Sequence, residues 1–338
     1  MKITQNISLR PFNTFGIDVQ AESFTEINSL NDFSALREEK TYKNSDLLIL
    51  GGGSNVLFTR NFDGLVVKNN LKGIQVVKEN ADHTWIKVSA GENWHEFVMW
   101  CVRNGHAGIE NLSLIPGCVG AAPMQNIGAY GVEIKDVCQE VYAVGMRDGR
   151  EKTFSNSECE FGYRESIFKH GAKNEFLIAA VLFRLNKKPK FNTSYGAIEQ
   201  ELAAMGVKEL SIKAISDAVI RIRSSKLPDP KEKGNAGSFF KNPEVSKQKH
   251  NELKQQFEKL VAYPLDNGNF KLAAGWLIEQ CGLKGKCVGN ACVHDKQALV
   301  LVNMGNAQGA DVYSLSEEVL QTVKAKFGVT LEREVNIY

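Results

Sequence analysis

Long apolar runs are absent from this chain of 338 residues. No apolar stretch approaches the roughly 18 residues that a membrane-spanning helix needs, so no membrane partner is expected. Residues 1–15 contain no apolar run of the kind that a signal peptide carries, and we therefore expect a cytoplasmic protein. A strong charge of one sign is absent too. The formal net charge is +2, which gives no support for nucleic-acid binding, so local Arg and Lys side chains must hold any anionic substrate.

The cysteine pattern lacks the pairs that mark common metal and redox motifs. The seven cysteines form no C-x-x-C pair, and their number is odd. Reduced and mostly buried thiols are the simplest interpretation for a cytosolic protein. Cys287, Cys292 and His294 lie close together in sequence, but their spacing matches no common zinc site. We therefore predict no metal centre.

A short apolar segment followed by three glycines is the first candidate for a binding loop. Residues 47–50 are four consecutive aliphatic residues, which predict a strand buried on both faces, and Gly51–Gly53 follow at once. Successive N–H groups in such a turn can hold a phosphate, and the side chains of Ser54 and Asn55 would add donors. A loop that merely needs tight turns is the alternative.

The usual nucleotide-binding motifs are absent from this loop. A Rossmann fingerprint would need glycine where Val56 stands, and no Gly-Lys-Ser/Thr sequence follows for a P-loop. Residues 56–62 show no helical period. A diphosphate bound here would therefore lack the helix dipole that supports it in those folds.

A second segment, residues 115–131, is unusually rich in small residues. Seven of its 17 residues are Gly or Ala, a density that lets a large flat ligand lie against the backbone. A tightly packed turn region is the alternative. Because two such segments lie about 65 residues apart, they favour a shared dinucleotide.

The rest of the chain alternates predicted strands and helices without an internal repeat. Apolar periodicity predicts helices near 29–39, 92–104, 211–226, 251–261, 271–281 and 314–327, the last capped by Ser314 with Glu317. It predicts strands at 65–67, 74–90 (a pair), 137–144, 177–185, 298–302 and 331–338.

Five separated segments together match one family. They are Asn13–Gly16, Gly51–Asn55, Ile115–Gly131, Tyr163–Ser166 and Gly234–Pro243, to which residues 297–303 and 331–335 can be added. In order and spacing they resemble the UDP-N-acetylenolpyruvoylglucosamine reductases, flavin enzymes of peptidoglycan precursor synthesis. The resemblance spans nearly the whole chain and indicates the longer subclass of the family, which has a tyrosine loop.

The resemblance implies an α+β fold with FAD as cofactor. Two subdomains, 1–68 and 69–226 with 328–338 returning to the second, would form an FAD-binding fold of the vanillyl-alcohol-oxidase (PCMH) type. Residues 227–327 would form a C-terminal α+β substrate domain. None of the six histidines lies in 47–60 or 111–131, so we predict that FAD is bound non-covalently. The implied cofactor contacts are Gly51, Gly52, Gly53, Ser54, Asn55, Ile115, Pro116, Gly117, Gly120, Ala121, Gln125, Asn126, Gly128 and Ala129.

The implied reaction moves a hydride from NADPH to the flavin, and then to C3 of the enolpyruvyl group to give UDP-N-acetylmuramate. The electron pair collects at C2 beside a carboxylate, so the site must supply positive charge and an acid. By resemblance Ser238 gives the proton to C2, while Arg164 and Glu334 polarise the carboxylate. The implied substrate contacts are Tyr195, Lys226, Asn242, Tyr263 and Gln297.

The residues of this motif set also have ordinary explanations when taken singly. Ser238 is then a turn residue, Arg164 a partner of Glu165 in a surface ion pair, and Glu334 a solvated carboxylate. Around Glu334 the chain also departs from the family pattern, because Arg333 and Asn336 stand where proline and arginine are expected. We expect a monomer. The alternative functions are a flavin oxidase of the same fold, a non-catalytic flavin-binding protein and a nicotinamide dehydrogenase without flavin.

The visible spectrum separates these functions. We expect a yellow protein whose flavin band bleaches with NADPH and returns when the enolpyruvyl substrate is added. Reoxidation of the reduced protein by oxygen should be slow, whereas an oxidase would reoxidise rapidly. A colourless protein would contradict every flavin-based interpretation, and NADPH oxidation that ignores the substrate would indicate a carrier.

Overall fold

Two units, each assembled from separated chain segments, make up the computed structural model, which describes residues 1–194 and 196–338. Unit 1 comprises Met1–Ile7, Ala21–Gly53 and Asp63–Ser225, and unit 2 comprises Ser8–Gln20, Ser54–Phe62 and Lys226–Tyr338. Residues 328–338, expected to return to the segment 69–226, therefore group with unit 2 instead. Otherwise the division at 68 and 226 stays a prediction.

Helices and strands alternate along both units. The helices are α1 (Leu30–Glu38), α2 (Lys40–Asn44), α3 (Trp94–Arg103), α4 (Gly196–Ala204), α5 (Ile212–Lys226), α6 (Lys247–Gln256), α7 (Ala274–Gln280) and α8 (Gly309–Phe327). The first strands are β1 (Thr4–Ser8), β2 (Gln20–Ile27), β3 (Asp46–Leu50), β4 (Val56–Leu57), β5 (Phe62–Asn69), β6 (Ile74–Glu79), β7 (His83–Ser89), β8 (Gly128–Ala129), β9 (Val132–Glu133), β10 (Cys138–Gly145), β11 (Glu151–Ser155) and β12 (Phe176–Asn186). The remaining strands are β13 (Gly234–Ser238), β14 (Glu244–Val245), β15 (Ala262–Pro264), β16 (Phe270–Leu272), β17 (Cys287–Val288), β18 (Ala291–Val293), β19 (Val300–Asn303) and β20 (Asn336–Ile337). No described helix is both long enough and apolar enough to cross a membrane.

The first sheet of unit 1 has the order β1-β2-β5-β3, and β3 runs parallel to β5. Leu48 and Leu50 are buried, whereas Leu47 and Ile49 are only half-buried, so the expected burial of β3 on both faces is wrong. The alternation arises because one face packs more tightly into the sheet core than the other. Helix α1 confirms the helix predicted near 29–39, and Ser29 caps it reciprocally with Asp32.

The second sheet of unit 1 has the order β11-β10-β12-β7-β6, with every neighbouring pair antiparallel. Its buried face packs on α3, where Phe97 and Phe183 rings lie 5.1 Å apart. The predicted strand pair at 74–90 and the predicted helix at 92–104 are both confirmed. Asn93 caps α3 by accepting a hydrogen bond from the Glu96 N–H at 3.0 Å.

Unit 2 contains a four-stranded sheet, β13-β19-β18-β17, together with the small sheet β14-β16-β15 and the parallel pair β20-β4. The predicted cap of its longest helix is wrong. Helix α8 begins at Gly309, where Gln308 and Asp311 form a capping box, so Ser314 lies inside the helix. The apolar period already starts at Val312, which extends the helix by more than a turn.

Two further boundaries differ from the predicted ones. Helix α6 covers Lys247–Gln256 rather than 251–261, because Ser246 caps it by accepting from the Lys249 N–H at 3.2 Å. Only Asn336 and Ile337 of the segment 331–338 form a strand. The signal for α6 was weak because only Leu253 of that helix is buried.

The cysteines differ from expectation in one pair. Cys287 and Cys292 face each other across the β17–β18 hairpin and form a disulfide, so the expectation of reduced thiols is wrong for them. The sequence lacked this signal because register decides which residues face each other. The described free cysteines are Cys101, Cys118, Cys138 and Cys159, all buried, and the half-buried Cys281. Within the described residues no cluster of three potential metal ligands occurs, and the absence of a metal centre stays a prediction.

Replacement of Gly309 by alanine should destabilise unit 2. A Cβ at this first residue of α8 would lie 1.7 Å from the Phe58 carbonyl oxygen, so backbone must move. We expect Gly309→Ala to lower the free energy of unfolding by about 2–3 kcal/mol in chemical denaturation. Gly171→Ala is the matched control, because its nearest neighbour, the Ile167 Cγ1, would lie at an ordinary 3.6 Å. Equal stability of the two variants would contradict the assignment.

Candidate active site

The two glycine-rich loops of unit 1 touch each other. A Cβ on Gly52 would lie only 2.7 Å from the Gly117 Cα, which no side chain other than hydrogen allows. Gly53 and Gly117 also have positive φ angles, 63° and 112°, that favour glycine. The predicted cofactor residues of the two segments are therefore brought together, as a shared ligand requires.

Backbone hydrogen bonds hold the second loop in place. The Trp94 N–H donates to the Gly117 carbonyl at 3.0 Å, and the Val119 and Gly120 N–H groups donate to the carbonyls of Glu92 and Ala90 at 2.9 Å. A Cβ on Gly120 would lie 2.5 Å from the Ala90 Cβ. Residues 117–120 of the loop are thus bonded to the chain that enters α3.

Asn126 has a supporting role in this region. Its side chain is fully buried and donates to the Glu133 carboxylate at 3.0 Å and to the Gly162 carbonyl at 2.9 Å. Its Oδ1 accepts from the Lys135 N–H at 3.0 Å. Because both ends of the amide are engaged, the side chain links the glycine-rich loop to the segment of Arg164, and a cofactor contact by Asn126 would involve its backbone.

Arg164 lies against the predicted flavin loop. Its Nη2 donates to the Gly128 carbonyl at 2.9 Å, and its guanidinium lies 5.6 Å from the Tyr163 ring centroid. Arg164 and Tyr130 both have left-handed backbones, with φ of 56° and 50°. Such conformations cost energy in residues other than glycine and concentrate at functional sites.

Arg223 is a site residue that the sequence analysis missed. It lies on α5, and its Nε donates to the Leu114 carbonyl at 3.2 Å. Burial lowers its pKa, a hydrogen bond to Tyr130 opposes the shift, and the nearby Arg164 adds to it. The Arg164 charge therefore acts on the Arg223 guanidinium, and both residues belong to unit 1. Its only sequence signal was a basic helix end, which also suits a helix dipole.

In unit 2, Asn235 shapes the strand that ends at Ser238. Its buried side chain donates to the Pro228 and Lys233 carbonyls at 3.1 and 2.8 Å and accepts from the Gly237 N–H at 2.9 Å. Gly237 has a φ of 68°, which turns the chain and leaves Ser238 exposed. The serine hydroxyl is thereby presented on a rigid turn.

The Asn13–Gly16 motif supports the same strand. Thr14 Oγ1 donates to the Asn235 carbonyl at 2.6 Å, and the Asn235 N–H donates to the Thr14 carbonyl at 3.0 Å. A Cβ on Gly234 would lie 2.1 Å from the Phe15 carbonyl oxygen. The motif therefore supports the strand that carries Ser238.

Ser238 and Glu334 are brought close by backbone pairing. The Glu334 N–H donates to the Phe239 carbonyl and the Lys241 N–H to the Glu332 carbonyl, both at 2.9 Å. Phe239 is fully buried next to the exposed serine, and Glu334 is half-buried. The proposed proton donor and the proposed carboxylate thus flank one short ladder.

The departures around Glu334 have structural roles. Arg333 pairs with Glu317 and donates from Nε to the Ser316 hydroxyl at 2.8 Å, so its side chain is bound to α8. Asn336 donates through its backbone and side chain to the Asn55 carbonyl, at 3.1 and 3.0 Å. In return, the Asn55 side chain donates to the Glu334 carbonyl at 3.2 Å. The segment of Glu334 is therefore held without the expected proline and arginine.

The predicted substrate residues are only partly connected. Asn242 accepts from the Ala274 N–H at 2.9 Å and so caps α7, while the Gln297 Oε1 would lie 3.0 Å from a Cβ on Gly275 in that helix. Tyr263 is exposed on β15, and Lys226 is the last residue of α5. Tyr195 lies outside the described residues.

The glycine loops fit the demands of FAD, which combines a diphosphate with a large flat ring system. Gly51 and Gly52 leave partly exposed backbone without side chains, Gly53 is buried, and the strand β4, not a helix, follows them. By the resemblance, residues 51–55 would hold the diphosphate, and Gly117 and residues 120–129 would line the flavin rings. Their assignment to FAD stays a prediction.

Comparison with known proteins gives family matches in both halves of the chain. A family described as "FAD binding domain" matches residues 24–155, and one described as "UDP-N-acetylenolpyruvoylglucosamine reductase, C-terminal domain" matches residues 229–338. Proteins named UDP-N-acetylenolpyruvoylglucosamine reductase from Flavobacterium johnsoniae and Chromobacterium violaceum are 48% and 50% identical to the chain. The first alignment covers 100% of both chains, and the second covers 99% of this chain and 98% of the relative.

A solved structure shares the fold. The crystal structure of UDP-N-acetylenolpyruvylglucosamine reductase (MurB) from Thermus caldophilus superimposes with a TM-score of 0.71 over 100% of this chain and 99% of that chain. The two sequences are 23% identical, so this similarity concerns the fold alone.

The fold and the paired glycine loops define an α+β protein with an FAD-binding domain, which confirms the predicted fold class. The full-length matches go further. The chain belongs to the UDP-N-acetylenolpyruvoylglucosamine reductase family, and the resemblance seen in its motifs is confirmed.

Gly52→Ala should separate the two glycine loops. The added Cβ would meet the Gly117 Cα at 2.7 Å, so we expect a lower thermal midpoint and an FAD dissociation constant raised at least about 10-fold. Gly51→Ala is the matched comparison, because its Cβ would lie 3.8 Å from the Cys118 Cβ and the apoprotein should keep its stability. Thermal melts of the apoproteins and FAD titrations measure both effects. Wild-type stability in Gly52→Ala would disprove the close approach.

Proposed function

We propose that the chain catalyses the FAD-mediated reduction of UDP-N-acetylenolpyruvoylglucosamine to UDP-N-acetylmuramate, with NADPH as the reductant. The observation that carries this proposal is the 48% identity to a reductase of that name over the full length of both chains. The FAD-binding domain at 24–155 and the reductase C-terminal domain at 229–338 support it independently. The reaction is a step of peptidoglycan precursor synthesis.

FAD, when bound, supplies the hydride chemistry, taking a hydride from NADPH and passing it to the substrate. The protein's own task is to hold the enolpyruvyl group and manage charge and protons. Hydride addition at C3 leaves an electron pair at C2 next to the carboxylate, so negative charge builds up there. One preorganised donor at such a position contributes about 3 kcal/mol, or roughly 10²–10³ in rate.

Arg164 is the proposed source of positive charge. Its planar guanidinium can pair with a carboxylate through two hydrogen bonds, and the bond to the Gly128 carbonyl at 2.9 Å orients it. Arg223 adds a second positive charge near Arg164. These two charges favour the reacting group of the intermediate, which is doubly negative, over the enolpyruvyl group of the substrate, which is singly negative. Such differential binding lowers the barrier.

Ser238 is the proposed proton donor to C2. A serine hydroxyl is a weak acid, but an enolate with carbanion character is basic enough to take its proton. The turn at Gly237 exposes the hydroxyl, while the buried neighbours Phe239 and Phe240 hold the strand that carries it. A rigid donor of this kind needs little reorganisation during the reaction.

Glu334 is the proposed second group at the substrate carboxylate. A bare carboxylate would repel the intermediate, so Glu334 must act as the neutral acid or through a bridging hydrogen bond. The Phe239 carbonyl accepts from the Glu334 N–H, and the Asn55 side chain donates to the Glu334 carbonyl, so the main chain of Glu334 is held at both of its polar groups. Substrate contacts are proposed for Tyr195, Lys226, Asn242, Tyr263 and Gln297. The cytoplasmic location and the monomeric state stay predictions.

Ser238→Ala should separate the two half-reactions. The variant should bind FAD and accept a hydride from NADPH at the wild-type rate, because the hydroxyl acts only on C2. Turnover with the enolpyruvyl substrate should fall by about 10²–10⁴-fold. Stopped-flow absorbance of the flavin measures each half-reaction.

Ser246→Ala is the control for this test, because Ser246 caps α6 and lies outside the proposed site. It should lose about 1 kcal/mol of stability and keep its turnover. Loss of flavin reduction by NADPH in a folded Ser238→Ala protein would overturn the proton-donor role. Normal turnover in that variant would overturn it as well.

A further inference from the structure

The Gly51–Gly53 loop lacks the helix that supports diphosphates in other nucleotide-binding folds. The chain passes from this loop into β4, so no helix dipole is directed at the loop from its own continuation. Apart from the predicted donors of Ser54 and Asn55, which are uncharged, only backbone N–H groups of the loop would then face the two negative charges of a diphosphate. A nearby cation is the simplest compensation.

Lys68 is placed to supply that charge. Strands β3 and β5 are parallel, with Leu50 opposite Lys68, so the loop that follows β3 and the Lys68 side chain lie at the same carboxyl edge of the sheet. Ligands of α/β folds bind at such edges. The Lys68 Nζ donates to the Gly51 carbonyl, which holds the ammonium at the loop itself.

The ammonium of Lys68 also lies near the second glycine-rich loop. A Cβ on Gly51 would lie 3.8 Å from the Cys118 Cβ, so the glycine whose carbonyl accepts from Lys68 packs against the residue that follows Gly117. Burial raises the pKa of Cys118, and the charges of Lys68 and Lys72 oppose that shift. Lys72 is compensated, because its Nζ lies 3.7 Å from the Glu92 carboxylate. Among residues 1–194 and 196–338 no carboxylate lies within ion-pair distance of Lys68. Lys68 therefore brings an unneutralised charge to the point where the two loops meet.

We propose that Lys68 is a diphosphate-binding residue that neutralises the pyrophosphate of FAD at the Gly51–Gly53 loop. The inference rests on the proposed function, since it assumes that this loop binds FAD. NADPH and the UDP-linked substrate also carry diphosphates, so the test must separate these three sources. The main structural alternative is that Lys68 only satisfies the Gly51 carbonyl.

The test compares Lys68→Gln, Lys68→Arg and Lys72→Gln. The glutamine variant keeps a donor for the Gly51 carbonyl but removes the charge, and the arginine variant keeps the charge. Each apoprotein is titrated with FAD and with riboflavin, which lacks phosphate, using flavin fluorescence. We expect the FAD dissociation constant of Lys68→Gln to rise about 10- to 100-fold, with riboflavin binding unchanged. Lys68→Arg and Lys72→Gln should stay within about 3-fold of wild type.

Salt dependence and steady-state kinetics complete the test. FAD affinity of the wild type should fall more steeply with ionic strength than that of Lys68→Gln, because one ionic contact is missing in the variant. Unchanged FAD affinity in Lys68→Gln would overturn the proposal. This holds equally if the KM for NADPH or for the UDP-linked substrate rises, because Lys68 would then bind a different diphosphate. Equal losses for FAD and riboflavin would overturn it in favour of a structural role. Wild-type protein that binds no FAD would instead contradict the proposed function.

Discussion

The short backbone ladder between residues 239–241 and 332–334 is the contact on which the chemistry of unit 2 depends. It sets the proposed proton donor, Ser238, beside the segment of the proposed carboxylate, Glu334. Two fully buried phenylalanines, Phe239 and Phe240, anchor one side of the ladder. The exposed Ser238 hydroxyl is thus followed directly by two buried side chains, which fix its position as precise proton transfer requires.

Three asparagine side chains of the predicted motifs support the backbone of neighbouring turns. Each of these side chains forms a hydrogen bond with loop backbone, namely those of Asn126, Asn235 and Asn55. Each satisfies buried or half-buried main-chain groups that a turn leaves without partners. The chemistry proposed for the site is left to residues that follow these turns, among them Ser238 and Arg164. The glycines and the asparagines therefore act together, because both determine the backbone conformation of the site.

In unit 1 the sequence predicted helices α1, α3 and α5 and strands β6, β7, β10 and β12, because their apolar periods are local, but it did not predict β2, β11, α2 or α4. It failed where the pattern of residues leaves the local conformation or the strand register open. Ser314 resembled a cap, yet Gln308 and Asp311 start the helix earlier. Cys287 and Cys292 looked like free thiols, because only the hairpin register shows that they face each other. Arg223 and Lys68 escaped notice for the same reason: each is an ordinary basic residue until the fold places it beside a particular loop.

The interleaved path of the chain has a consequence for biosynthesis. Unit 2 joins residues 8–20 and 54–62 to residues 226–338, and β4 finds its partner β20 about 280 positions later in the sequence. The N-terminal segments of unit 2 therefore remain unpaired until nearly all of the polypeptide has been synthesised. Unit 1 can pack first, since its last segment emerges earlier. Pairing of segments so distant in sequence is slow, and unpaired strand edges are prone to aggregate until it is complete.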